Sequence, residues 1–259
     1  MVDKRRYFLI ISFVFSALFF VLGKVPFIFR PQFAGLLVIV VVGASLILFK
    51  SFTAKLKNSV FAVLPSFVFT IALVFFHFLV PQNFLWQVFL TIFFGLNFYT
   101  FLLCANVFLV AAEFKTVPLY RAAATISFLQ MLATAFFLFD VIFSFRFPAY
   151  INGLLAGAAS AMLFINFFWS QAIVSPEPVD ILEGSFVFAL LMAEIAMILS
   201  FWPVGIGKGS LYLVSLFYVF GGLASAFCQM KLFKRTVAEF LWIGAGTFLG
   251  LFLVTSWRG

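Results

Sequence analysis

The sequence predicts an all-helical bundle of about nine membrane-spanning segments, with the N-terminus inside and the C-terminus outside. Composition is the first observation behind this. Of 259 residues, 66% are hydrophobic and 9% charged, against about 45–50% apolar and roughly 25% charged in soluble globular chains. A chain with so few polar groups cannot cover a water-facing surface, which excludes a soluble enzyme, a disordered tail and a nucleic-acid-binding module. The second observation is run length: the apolar stretches are solidly apolar and long, whereas barrel strands alternate over about ten residues. The third is that short, breaker-rich connections separate the stretches.

Taken in order, the first run covers about 7–23. It follows a basic start (Lys4, Arg5, Arg6) that resembles the head of a signal peptide, but it ends in Leu22-Gly23-Lys24 with no small-residue cleavage site. It is therefore expected to remain as the first membrane helix. The second run, 33–49, is equally short, so both need flanking residues to cross roughly 30 Å of hydrocarbon. The third, 59–80, ends at Pro81-Gln82-Asn83, and the fourth, 84–112, is long enough to tilt or to extend past the membrane. The fifth, 117–143, and sixth, 150–174, are divided by Pro148, and Ser175-Pro176-Glu177-Pro178 closes the sixth. The seventh, 181–203, is followed by Gly205-Ile206-Gly207-Lys208-Gly209, and then come the eighth, 210–230, and the ninth, 236–257. Glu239 sits near the start of the ninth; as an interfacial helix that run would leave eight spans and a C-terminus inside. Its centre, Leu241 to Val254, is apolar all round, which favours spanning. With every connection short, residues 1–259 form one integral-membrane domain with no extramembrane domain.

Charge sets the orientation. The net charge is +8, but the basic residues lie at the ends of apolar runs, as orientation signals and contacts for anionic headgroups of the bilayer and not for nucleic acid. With the N-terminus inside, Lys4, Arg5, Arg6, Lys50, Lys55, Lys57, Lys115, Arg121, Lys231, Lys234 and Arg235 fall on the inside, and only Lys24, Arg30, Arg146, Lys208 and Arg258 on the outside. The inside stretch 175–183 dissents, with Glu177, Asp180 and Glu183 and no basic residue. A faint internal echo pairs Phe114-Lys115-Thr116-Val117 with Phe233-Lys234-Arg235-Thr236-Val237, too short to establish a duplication.

Glu194 is the leading functional candidate, because it falls near the middle of the seventh run, where a charged acid costs about 2.5–3.5 kcal/mol on insertion scales. Glu183 lies 11 residues earlier, within about 20° on the same helix face. Together they could form an acidic stripe from the inside toward the midplane; the plain structural alternative is a hydrogen bond to a neighbouring helix. Asp140, near the outer end of the fifth run, is expected to associate with Arg146 or to serve as an outer gate. His77, the sole histidine, is expected as an interfacial polar tip, since one histidine builds neither a zinc site nor a bis-histidine haem. Asn97 with Cys104, and Asn152, Asn166 and Ser170, form polar stripes that either join helices or line a substrate route. Gly153, Gly157 and Ala161, Gly222 with Ala226, and Gly246 with Gly250 have the spacing that lets helix backbones approach, within the bundle or with a packing partner or a second copy.

The sequence calls for no cofactor and no metal. Gly205 to Ser210 resembles a phosphate loop but lacks Ser or Thr directly after Lys208, and no HExxH, GxSxG or EF-hand motif is present. Three functions remain: a non-catalytic membrane component that scaffolds or assembles, a small-solute or ion transporter coupled to protons through Glu194, and an intramembrane lipid-modifying enzyme. The first is favoured, in a plasma (inner) membrane, because polar groups are too few for a hydrated path and Glu194 has no second catalytic member nearby in sequence.

Overall fold

The computed structural model describes residues 2–50, 56–114, 118–175 and 179–255. Among them there is no strand. The helices are α1 (Val2–Leu22), α2 (Arg30–Lys50), α3 (Leu56–Leu79), α4 (Phe84–Phe114), α5 (Tyr120–Ser144), α6 (Ala149–Ala172), α7 (Ile181–Leu199), α8 (Ile206–Cys228) and α9 (Lys234–Val254), with one 3-10 turn, Phe27–Phe29, before α2. All nine are long and apolar enough to cross a membrane. The first two apolar runs do draw in their flanks: α1 and α2 each reach 21 residues. α8 starts at Ile206, so Gly207, Lys208 and Gly209 form a first helical turn and not a loop. The glycine there has a packing reason, because a Cβ on Gly209 would lie 3.3 Å from Leu199 Cδ2. α7 stops at Leu199, well before Pro203, whose ring excludes helical backbone from the residue preceding it. Lys55, Lys115, Glu177 and Arg258, with the 115–117 part of the internal echo, lie outside the described residues.

The chain divides into two compact units, residues 1–131 and 132–259, the division falling within α5. In the first unit α1 and α4 run antiparallel and are joined by side chains that bond to backbone. Ser12 Oγ donates to the Gly95 carbonyl at 2.6 Å and Gln87 Nε2 to the Phe20 carbonyl at 2.7 Å. Between them lies a phenylalanine stack: Phe19 on Phe94 at 4.8 Å, Phe94 on Phe98 at 5.6 Å, and Phe69 of α3 on Phe94 at 5.9 Å. Offset stacked rings add attraction beyond area burial, which gives the abundant phenylalanine a packing role as well as a solubility-in-lipid role.

The second unit is built on the antiparallel pair α6–α7. Built Cβ atoms on Gly153 and Gly157 would meet the Ala193 carbonyl oxygen at 3.0 Å and the Ala193 Cβ at 2.8 Å. Backbones this close are what the four-residue glycine spacing permits. Phe164 then stacks on Phe188 of α7 at 5.2 Å and on Phe217 of α8 at 4.3 Å. α9 runs antiparallel along α8. Phe240 fills the space over Gly222, while at the far end Lys208 Nζ donates to the Val254 carbonyl at 3.4 Å. Of α9 only Leu251 is buried within the helix itself.

Candidate functional site

α7 has two sharply different faces. Ser185, Ala189, Met192, Ala196 and Leu199 are buried, and they recur at the three- and four-residue spacing of a single helical stripe. The opposite stripe, Glu183, Phe186, Val187, Leu190, Glu194 and Ile198, is exposed. At its N-terminus Asp180 caps the helix, its Oδ1 accepting from the backbone amides of Leu182 at 3.0 Å and Glu183 at 3.1 Å. Glu183 is thus in the first turn, where a carboxylate complements the helix dipole. Capping accounts for these acids in the segment that dissented from the charge rule.

Glu194 has no such account. It belongs to neither end of α7 and its flanking stripe residues, Leu190 and Ile198, are apolar and exposed. Because α7 ends at Leu199, Glu194 lies about 6 Å beyond the helix centre by a rise of 1.5 Å per residue, not at the middle as the longer run implied. Among the described residues it takes part in no ion pair. Glu183 and Glu194 do share a face, but that face is turned out of the unit and lines no interior route.

The other candidates are placed separately. Asn166 is buried, 1% exposed, on α6, whereas Glu194 is exposed. Asn97, in the first unit, returns its Nδ2 to the Phe93 carbonyl one turn back at 2.9 Å, and its own carbonyl accepts from Gln130 Nε2 of α5 at 3.0 Å. Gln130 also reaches the Thr100 hydroxyl, so this stripe fastens helices together. Asp140 does not associate with Arg146: no ion pair joins them, and the Asp140 carboxyl instead lies beside the first turn of α8, its Oδ1 3.9 Å from a Cβ built on Gly207, while the Ser210 hydroxyl donates to the Ile206 carbonyl at 2.9 Å. The positive end of the α8 dipole draws the carboxyl there. His77, in the last turn of α3, is 4% exposed, so its ring packs inside the unit, 5.5 Å from that of Phe19, and its Nε2 has no hydrogen-bond partner. Among the described residues no three of His, Cys, Asp or Glu gather closely enough to hold a metal ion.

One cavity, of about 490 Å³, opens in the second unit where α5 and α7 end and α6 and α8 begin. Its walls include Arg146, Asn152, Ser200, Trp202 and Gly205. Arg146 has a left-handed backbone, φ 51°, a helix-ending conformation that glycine usually takes. Asn152 is 4% exposed, and its Nδ2 donates to the Phe147 carbonyl at 3.1 Å and to Ser200 Oγ at 3.2 Å. Its Oδ1 has no partner. Trp202 is fixed at the rim, Nε1 donating to Thr255 Oγ1 at 3.1 Å and the ring edge-on to Phe248 at 5.8 Å. Sequence reasoning took Asn152 as part of a packing stripe and Arg146 as a partner for Asp140. Nothing in one dimension signals that an arginine after α5 and a serine after α7 meet at one opening.

No curated protein and no solved structure matches the chain. A family does: residues 19–254, from the end of α1 to the end of α9, match the one described as "Protein of unknown function (DUF5656)". A match over that extent takes in most of both units, and the chain, a multi-pass helical membrane protein, belongs to that family.

Proposed function

We propose that the chain is a non-catalytic subunit of a membrane assembly, sited in a plasma (inner) membrane with its N-terminus in the cytoplasm, and that the outward face of α7 receives a helix of a different membrane protein. The observation that carries this is Glu194, exposed on a stripe that is otherwise apolar beyond its first turn, on a helix apolar enough to span. Acids within membrane segments are costly and are retained where they pair or serve a pathway. A pathway needs further polar groups at the same opening, and the stripe around Glu194 offers Leu190, Met197 and Ile198 instead. What suits such a carboxyl is a basic side chain brought by a partner. A second copy offers none at that depth among the described residues, where every Lys and Arg sits toward the end of a helix or in a connection.

The test is a photo-activated crosslinker placed at Leu190 or Met197 in native membranes. The expected adduct is a single protein whose crosslinked peptide is a membrane helix containing Lys or Arg. Glu194→Leu should abolish it and Glu194→Gln weaken it. Adducts with lipid alone overturn the assignment. In a Cys104→Ser, Cys228→Ser background, Glu194→Cys should resist a water-soluble maleimide; rapid labelling would bring water to α7 and restore the transport alternative.

A further inference from the structure

We propose that the cavity between the ends of α5 and α7 and the starts of α6 and α8 binds a phosphate ester that also carries a hydrogen-bond donor, as a glycerophospholipid headgroup does. The inference is independent of any partner on α7. Two residues that line this one opening, Arg146 and Asn152, each hold an unspent group. The Arg146 guanidinium, a planar fork of donors suited to phosphate, makes no ion pair among the described residues. Asn152 has used its donors on Phe147 and Ser200, which leaves only the acceptor Oδ1. An anion with no hydrogen to donate, such as sulfate, satisfies the arginine and leaves the amide oxygen orphaned; a neutral polyol does the reverse. A phosphate ester with a hydroxyl or ammonium group satisfies both.

The surroundings fit the same ligand. The opening holds about 490 Å³, far more than the roughly 30 Å³ of a single water in the liquid, and Phe143, Phe147 and Leu199 give it apolar wall for a glycerol and the start of an acyl chain. Trp202 stands at the rim, held by Thr255, in the interfacial position where an indole is stable. Of the other nearby charges, Lys208 donates to the Val254 carbonyl and Asp140 lies beside Gly207, and neither lines the opening. Arg146 is therefore the charge available to the ligand.

The experiment is native mass spectrometry of the purified full chain with added phosphatidylglycerol, phosphatidylethanolamine, phosphatidylcholine or sn-glycerol 3-phosphate. Phosphatidylcholine has the phosphate but no donor, so it probes the Asn152 requirement without altering a residue whose amide ties α6 to α7. Phosphatidylglycerol and phosphatidylethanolamine should bind about tenfold more tightly than phosphatidylcholine, and Arg146→Gln should lower their binding by about tenfold, the weight of one hydrogen-bonded charged contact. Arg235→Gln, at an exposed cation of α9 remote from the cavity, should leave binding unchanged. Comparable binding of glycerol 3-phosphate, equally lost in Arg146→Gln, supports the same chemistry and assigns it to a soluble ester. Equal binding of all three lipids, equal effects of the two arginine substitutions, or no binding at all overturns the proposal and leaves a water-filled void.

Discussion

Within a membrane helix a polar side chain is stable only where something donates to it or accepts from it. Gln87 and Glu194 show the two cases. Gln87 is 9% exposed and places its Nε2 on the Phe20 carbonyl of a facing helix, so its polarity is consumed inside the unit. Glu194 faces outward among apolar neighbours, and nothing within its own unit covers it. The two should respond oppositely to the same kind of substitution. Gln87→Leu should destabilise the chain by about 0.6 kcal/mol, and at most about 1.7, the range for interhelical hydrogen bonds in membranes. Glu194→Leu, measured in bilayers that lack the partner, should leave resistance to SDS unfolding unchanged or higher, because an acid that costs about 2.5–3.5 kcal/mol to insert at a helix centre is removed. A clear loss of resistance in Glu194→Leu would mean that the carboxyl has a structural partner within the chain. Residue-level roles were legible in the sequence only where local spacing fixed them: Asp180 and Glu183 stand three apart at a helix start, but Gln87 finds the Phe20 carbonyl 67 residues away, which no pattern announces.

At the scale of the element, identical spacing conceals opposite environments. Gly153 with Gly157 and Gly246 with Gly250 read alike as small-residue pairs four apart. In α6 that pair is where α7 presses closest, a Cβ on Gly157 falling 2.8 Å from the Ala193 Cβ and 3.3 Å from the Ala189 carbonyl oxygen. In α9 a Cβ on Gly246 or Gly250 meets nothing within 4 Å. Gly157→Ala should therefore force α6 and α7 apart, at about 1–3 kcal/mol, the usual cost of overpacking. Gly246→Ala should instead stabilise by about 0.5–1 kcal/mol, since alanine loses less backbone entropy than glycine in a helix interior. Thermal unfolding of the two variants side by side checks both, and equal destabilisation would place a packing partner on α9. The helices themselves were legible because apolar length alone demands them in lipid, where every backbone group must bond within its own segment. Their ends were less so. α8 begins at Ile206 although Gly205 to Gly209 read as a breaker, and in place Gly209 makes room for Leu199.

At the scale of the whole molecule the open quantity is which side each connection faces, and α9 decides the parity. An interfacial ninth helix would lie across the ends of its neighbours. Instead α9 follows α8 antiparallel from end to end: Phe240 packs over Gly222, Gly244 lies 3.9 Å from Val219 Cγ2 by its built Cβ, Phe248 meets Tyr212 at 6.4 Å, and Val254 reaches Lys208. Its 21 residues rise about 30 Å, the thickness of a hydrocarbon core. A helix packed along its full length on a neighbour is expected to cross wherever that neighbour crosses. The Arg235–Glu239 pair, 3.1 Å apart and exposed at its start, then belongs to the headgroup region, where such charges are well solvated. Leu232→Cys and Val254→Cys, each in a background of Cys104→Ser and Cys228→Ser, should accordingly be labelled by an impermeant maleimide from opposite sides of sealed vesicles. By the excess of basic residues around α1 and before α9, Leu232→Cys should react from the cytoplasmic side, together with a cysteine placed at Ser175 and opposite to one at Gln82. Labelling of the positions at 232 and 254 from one side would lay α9 in the interface and detach Trp202 from Thr255, and the rim of the cavity would go with it.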